Sequence, residues 1–195
     1  NISDIQNIRQ ELDLYTGVIN SSFMFDGEIV HVQTYAHQQQ DLVGVKVQSK
    51  LLTEGRIKVR LRFPFPTNQF TDYGDNWKNP QKHYSAIVSS SQQQATIIHR
   101  LDTNQYFVRL AWQSMASVKN TAAHQFVLSP QGKTDALMFT CLFTPHKTSL
   151  VSPSFVQTQA NSIQQWKAFW QSGGAVDFSG STDTRANELE RRVVL

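Results

Sequence analysis

Residues 136–143 read ALMFTCLF, and the fold turns on this stretch. A strand points successive side chains to opposite faces of its sheet, so Leu137, Phe139 and Cys141 share one face while Met138, Thr140 and Leu142 share the other. Both sets are apolar apart from Thr140. A sheet with one wet face alternates apolar and polar positions, whereas a strand that is dry on both faces belongs in the middle of a thick sandwich. Cys141 is the single cysteine. That excludes an intrachain disulfide and a cysteine-rich zinc site, and among such neighbours it reads as a small buried hydrophobe.

Outward from this stretch, nearly every segment from Leu14 to about Thr144 reads as a strand. SSFMFDGEIVHV (21–32) sets Asp26-Gly27 between alternating runs, the strongest short-range hairpin signal. DLVGVKVQS (41–49) and GRIKVRLRF (55–63) follow, with a turn at Thr53-Glu54-Gly55. QATIIHRLDTNQYFVRLAW (94–112) turns at Asp102, Thr103 and Asn104, and HQFVLSPQGKTDALMFTCLF (124–143) turns at Pro130, Gln131, Gly132 and Lys133. The count is roughly eight to ten antiparallel strands, closely spaced and joined without helices, which indicates a sandwich or barrel over residues 1–150. A chain of 195 residues is long enough to bury such a core.

The periodicity changes after Pro145. Ser152 is expected to cap a helix with Pro153 in its first turn, and Val156, Ala160, Ile163, Trp166 and Trp170 recur at helical spacing up to Gly173-Gly174. Residues 151–174 therefore read as an amphipathic linker helix. AVDFSGS (175–181) is extended, and Asp183 caps a second helix with Glu188 and Glu190 in its early turns and Leu189 and Val193 as an apolar stripe. No Gly, Asn or Pro ends that helix. The expectation is that 175–195 opens a further helical domain whose body would cover the stripe.

Charged residues are only 17% of the chain, against 39% hydrophobic and 11% aromatic, so the polar surface is largely uncharged. Glutamine supplies much of it, including runs at 38–40 and 92–94 that read as loop tips. A net charge of +3 is weak for a nucleic-acid binder. Arg56, Lys58, Arg60 and Arg62 alternate with Ile57, Val59, Leu61 and Phe63, which gives either a polyanion stripe or the solvated face of a half-buried strand whose cations meet carboxylates on its neighbours. The second reading is preferred. No apolar run approaches a membrane span and no signal peptide is visible. The expected partners thus include neither nucleic acid nor membrane.

The histidines at 31, 37, 83, 99, 124 and 146 show no ligand pairing, and the sequence has no nucleophile elbow, phosphate loop or dinucleotide fingerprint. No metal, cofactor or catalytic residue is expected. The remaining candidate is FPFPTNQFTDYGDNWKNPQKH (63–83), where Pro64, Pro66, Gly74 and Pro80 break any ladder and Phe70, Tyr73 and Trp77 argue against disorder. Asp72, Tyr73, Asp75, Asn76, Trp77 and His83 make the mix of aromatic faces, carboxylates and amides that suits a sugar. Two aspartates could also serve as an acid/base pair, for which inverting chemistry needs carboxyl groups about 6.5–9.5 Å apart. The plain alternative is that Asp72 and Asp75 cap turns around Gly74 while Trp77 covers the edge of the sandwich.

IRQELDLYTGVI (8–19), then the β-rich body, then WKAFWQSGGAVDFSGSTDTRANELERRVVL (166–195) resembles the N-terminal region of bacterial proteins related to glycoside hydrolase family sixty-five, the group of maltose, trehalose and kojibiose phosphorylases and acid trehalases. The resemblance implies an antiparallel, galactose mutarotase-like β-supersandwich lacking some N-terminal strands, a linker helix and the first helix of an (α/α)6 barrel. It places the general-acid glutamate in that barrel, after Leu195, so the chain itself is expected to be inactive. The implied partner is the barrel of the same parent chain, with Ile163, Trp166, Trp170, Leu189 and Val193 as packing residues and the 70–83 loop at the active-site rim. An oligosaccharide is a possible ligand, and exposed apolar helices are expected to make the isolated piece self-associate. An independent carbohydrate-binding module and a purely structural β-domain are the alternatives. Hydrolysis and phosphorolysis stay equally open, and a lone cysteine with a weakly charged surface suits a bacterial periplasm or extracellular space.

Overall fold

The computed structural model describes residues 2–67, 69–71, 76–149, 151–174 and 176–194. Its strands are β1 (Ile5–Asp13), β2 (Val18–Phe25), β3 (Glu28–Ala36), β4 (Leu42–Gln48), β5 (Val59–Arg62), β6 (His83–Ser90), β7 (Gln94–Leu101), β8 (Asn104–Trp112), β9 (Ala116–Ala122), β10 (Gln125–Pro130) and β11 (Ala136–Thr144). Three helices, α1 (Lys50–Thr53), α2 (Phe155–Phe169) and α3 (Ala186–Val194), complete it. The chain is mainly β, antiparallel and sandwich-like, with helices at its C-terminal end.

One sheet has eight strands in the order β1-β2-β3-β4-β11-β8-β7-β6, and a second has three in the order β5-β10-β9. Tight turns set the hairpins. Asp26 and Gly27 both take positive φ (53° and 78°), the twist that a two-residue connection between β2 and β3 requires. Strand β11 joins the two halves of the large sheet, with Cys141 opposite Val43 on one side and Leu110 on the other.

The dryness of β11 on both faces is explained by two different covers. Leu137 and Phe139 point into the layer between the sheets, where Val30, Val47, Ile97, Val108, Leu110, Trp112, Phe126 and Leu128 also lie. Met138 lies on the opposite face, with Val18, Tyr35 and Phe155 of α2. The second cover is thus a helix. The backbone comes close there because Gly44 has no side chain: a Cβ would stand 3.2 Å from Thr158 Cβ.

Helix α2 starts later than the sequence suggests. Ser154, not Ser152, is the N-cap: Gln157 N–H donates to Ser154 Oγ at 3.3 Å, and Ser154 N–H donates to Gln157 Oε1 at 2.8 Å. This reciprocal box satisfies two otherwise orphaned donors, which Ser152 with Pro153 in the next position cannot match. The buried row is Phe155, Thr158 and Ser162, while Val156, Ala160 and Ile163 face away from the sandwich. Small polar residues pack inward because they also bond: Ser162 Oγ donates to Thr16 O at 3.0 Å and Thr158 Oγ1 to Ser154 O at 2.9 Å.

Among the described residues the strand count reaches eleven because β1 precedes the Leu14 start expected for the strands. The charged strand also differs in detail from expectation. Arg56 meets Asp26 at 2.5 Å and Glu54 at 3.6 Å, but Lys58 and Arg60 make no ion pair among the described residues. Opposite Arg60 and Arg62, β10 presents Val127 and Gln125, so neither cation faces a carboxylate across that ladder, and Lys58 and Arg60 are solvated at little cost. Among the described residues, no helix is long and apolar enough to cross a membrane.

Candidate functional site

The layer between the sheets is apolar along most of its length and ends in a polar cluster. His99 follows Ala95 and Ile97 on the inward face of β7, and the ladder sets it opposite Ser85 of β6 and Tyr106 of β8. The β9–β10 turn adds His124, in a left-handed conformation with φ 56°, and the start of β6 adds His83. Phe63 and Phe65, just after β5, lie at this end of the sandwich. His83 and His124 stack with ring centroids 3.5 Å apart, and His83 meets His99 edge-on at 5.3 Å. Phe63 stacks on His99 at 5.0 Å, and Phe65 lies 5.7 Å from His83.

The hydrogen bonds fix a direction. His124 Nε2 lies 2.6 Å from Pro80 O, and because a carbonyl only accepts, Nε2 carries the proton. In a neutral ring Nδ1 is then bare and accepts from the Ser85 hydroxyl at 3.1 Å. With its one proton spent, Ser85 Oγ accepts from His99 Nδ1–H at 2.8 Å. Burial, with the neighbouring His83 and His124, pushes the His99 imidazole down to about 4. Burial and then His124 lower His83 as well, and burial raises the Tyr106 phenol.

This histidine cluster does not make a metal centre: among the described residues no group of three or more His, Cys, Asp or Glu is placed to hold an ion. Nor does it make an active serine, because Ser85 is buried and its hydroxyl is bonded on both sides.

Of the loop residues named from sequence, Asp72, Tyr73 and Asp75 lie outside the described residues. Asn76 shapes the chain locally: its Oδ1 accepts from Lys78 N–H at 2.9 Å and its carbonyl accepts from Phe65 N–H at 2.9 Å. Trp77 remains 43% exposed, and the Arg62 guanidinium sits 3.8 Å over its ring. His83 is separate from these two in role, because its ring lies in the imidazole stack with Nδ1 buried and unpartnered. Sequence spacing could not reveal the three-histidine cluster, since its members lie on β6, β7 and a turn of the other sheet.

Of the helical residues named from sequence, Trp166 packs over Gly17 and Trp170 Nε1–H donates to Leu14 O at 2.8 Å. Tyr15, Trp166, Phe169 and Trp170 form an aromatic group at this end of the sheet. Ile163 is 36% exposed, Leu189 51% and Val193 55%.

No family model matches the sequence, and comparison with curated proteins gives no significant match. Among solved structures, the chain is similar in fold to a protein from the human microbiome provisionally described as a kojibiose phosphorylase. The TM-score is 0.51 at 9% sequence identity, and the match covers 86% of this chain. This chain spans 25% of that protein's length. At this identity the likeness shows a shared β-sandwich architecture alone.

Proposed function

We propose that this chain is the non-catalytic N-terminal β-domain of a carbohydrate-active enzyme, an inverting glycoside hydrolase or phosphorylase acting on oligosaccharides. The reading is carried by the fold match to a quarter of a longer, phosphorylase-like chain. It is supported by the helices: α2 lies along the sheet with Val156, Ala160 and Ile163 turned outward, and α3 exposes Leu189 and Val193. In this proposal residues 1–150 form the sandwich, 151–174 link it to an (α/α)6 barrel, and 175–195 begin that barrel, whose surface covers the exposed apolar row. The segment carrying Asn76 and Trp77 shapes the rim of the barrel's site.

The test is an assay of the natural gene product and of the 195-residue chain on kojibiose, maltose and trehalose, with and without phosphate. Turnover by the gene product and none by this chain is the expected pair of results. A gene product without activity on any oligosaccharide overturns the reading. Glycan binding by the 195-residue chain alone, lost in Trp77→Ala, would establish an independent binding module instead. The isolated chain is also expected to self-associate through α2 and α3, which dilution-dependent light scattering reads directly.

A further inference from the structure

We propose that His83, Ser85, His99 and His124 form an acid-sensitive latch, which when neutral fastens the Pro80–Lys82 turn and the β9–β10 turn to the end of the large sheet and when protonated releases both. The geometry has three parts. The relay from His99 through Ser85 to His124 and Pro80 crosses from β7 to β6, to the small sheet, and to the turn that precedes β6. His124 also anchors the chain after β5, because its carbonyl accepts from Phe63 N–H at 3.1 Å. Finally, His83 closes over His124 with centroids 3.5 Å apart and with Nδ1 buried and unpartnered.

A proton has no comfortable place in this arrangement. Added to His124 Nδ1, it turns an acceptor into a donor aimed at Ser85, so the relay must reverse, and it sets a cation against the His83 ring. Added to His83 Nδ1, it creates a buried N–H with no acceptor. No compensating anion is at hand among the described residues. The facing groups are Tyr106 from β8, Phe63 and Phe65 from the chain after β5, and Lys82, whose Nζ lies 5.8 Å over Phe65. Arg100 of β7 lies over Tyr84, and no ion pair of the described residues includes a histidine. Asp72 and Asp75 fall outside the described residues.

The sign follows from the direction of the shifts. His83 and His99 are lowered in the folded chain, His99 to about 4 from an ordinary 6.5. The closed state is therefore fully favoured above pH 6.5 and loses its advantage as pH falls toward 4, because the open state binds the protons more readily.

Hydrogen–deuterium exchange of the full chain at pH 7.5 and pH 5.0, corrected for intrinsic rates, tests this. Amides of residues 81–86 and 123–126 should lose protection by about tenfold or more at pH 5.0, while β4 and β11 keep theirs. Equal protection at both pH values, or a loss spread evenly over β4 and β11, overturns the latch. His83→Phe keeps a stacked ring without a titrating group, and His124→Asn suits the left-handed backbone. Each should blunt the acid response, and an undiminished response in either folded variant would also overturn the proposal.

Discussion

The indole of Trp166 occupies the space where a side chain at residue 17 would be: a Cβ on Gly17 would overlap Trp166 Nε1 and Cδ1. Gly17 also has φ 69°, so alanine there meets a steric clash and an unfavourable backbone together. We expect Gly17→Ala to cost about 2–4 kcal/mol and to shift the tryptophan emission red as the indole is displaced. Gly27 is the control, because its φ is 78° but a Cβ there meets nothing within 4 Å. Gly27→Ala should cost about 1 kcal/mol. Urea denaturation of the two variants separates the packing effect from the backbone effect, and equal losses would refute the Trp166 contact.

Gly44 and Thr158 form the closest approach of α2 to the sheet, with a Gly44 Cβ falling 3.2 Å from both Thr158 Cβ and Cγ2. Gly44→Ala should destabilise by about 1–3 kcal/mol through overpacking. Thr158→Ser removes the methyl and keeps the hydroxyl that donates to Ser154 O. In a Thr158→Ser background the cost of Gly44→Ala should shrink, giving a coupling above 0.5 kcal/mol, roughly the threshold for residues in contact. Strict additivity would show that the helix does not rest there.

The two serines before α2 should behave oppositely. Ser154→Ala removes the capping box and is expected to cost about 1 kcal/mol. Ser152 is buried with an unpartnered Oγ, so Ser152→Ala should be neutral or slightly stabilising. A larger loss for Ser152→Ala in thermal unfolding would move the start of the helix back to the position expected from sequence.

Cys141 should be chemically silent in the native chain. Part of the residue reaches the surface, yet burial pushes its thiol up to about 12, and the thiolate is the reactive form. Labelling by iodoacetamide at pH 8 is expected only after denaturation. Rapid stoichiometric labelling of the folded chain would contradict the packing of β11.

Much of the fold could be read from sequence because strands and tight turns write short-range patterns. The Asp26-Gly27 and Asp102-Thr103 turns sit where their residue types indicate, and the double dryness of β11 is visible in its own eight residues. What covers the second face of β11 is not, because periodicity reports that a face is dry and not which element dries it. Strand β1 carries no such pattern, because its residues are almost all exposed and lack alternation. The cap of α2 was legible in the Ser154-x-x-Gln157 spacing, but Ser152-Pro153 offered a competing start. The histidine cluster was hidden for a topological reason: the β6–β7 ladder supplies one pair and a turn of the other sheet supplies the third ring. For the loop residues, sequence names Asn76 and Trp77 but carries no sign that the Arg62 guanidinium lies over the indole.

The place of β11 has a consequence for how the chain assembles. β1 to β4 form one run of neighbouring hairpins and β6 to β8 another, so each half can zip up from local contacts as it leaves the ribosome. The facing edges of β4 and β8 stay open until the segment Ala136–Thr144 has been synthesised and inserts between them. Until then both halves present unpaired, largely apolar edges, and a second nascent copy competes for the same hydrogen bonds. Changes that slow the insertion of this late strand, such as a charge at Leu137, should therefore show first as aggregation during synthesis and only second as a less stable product.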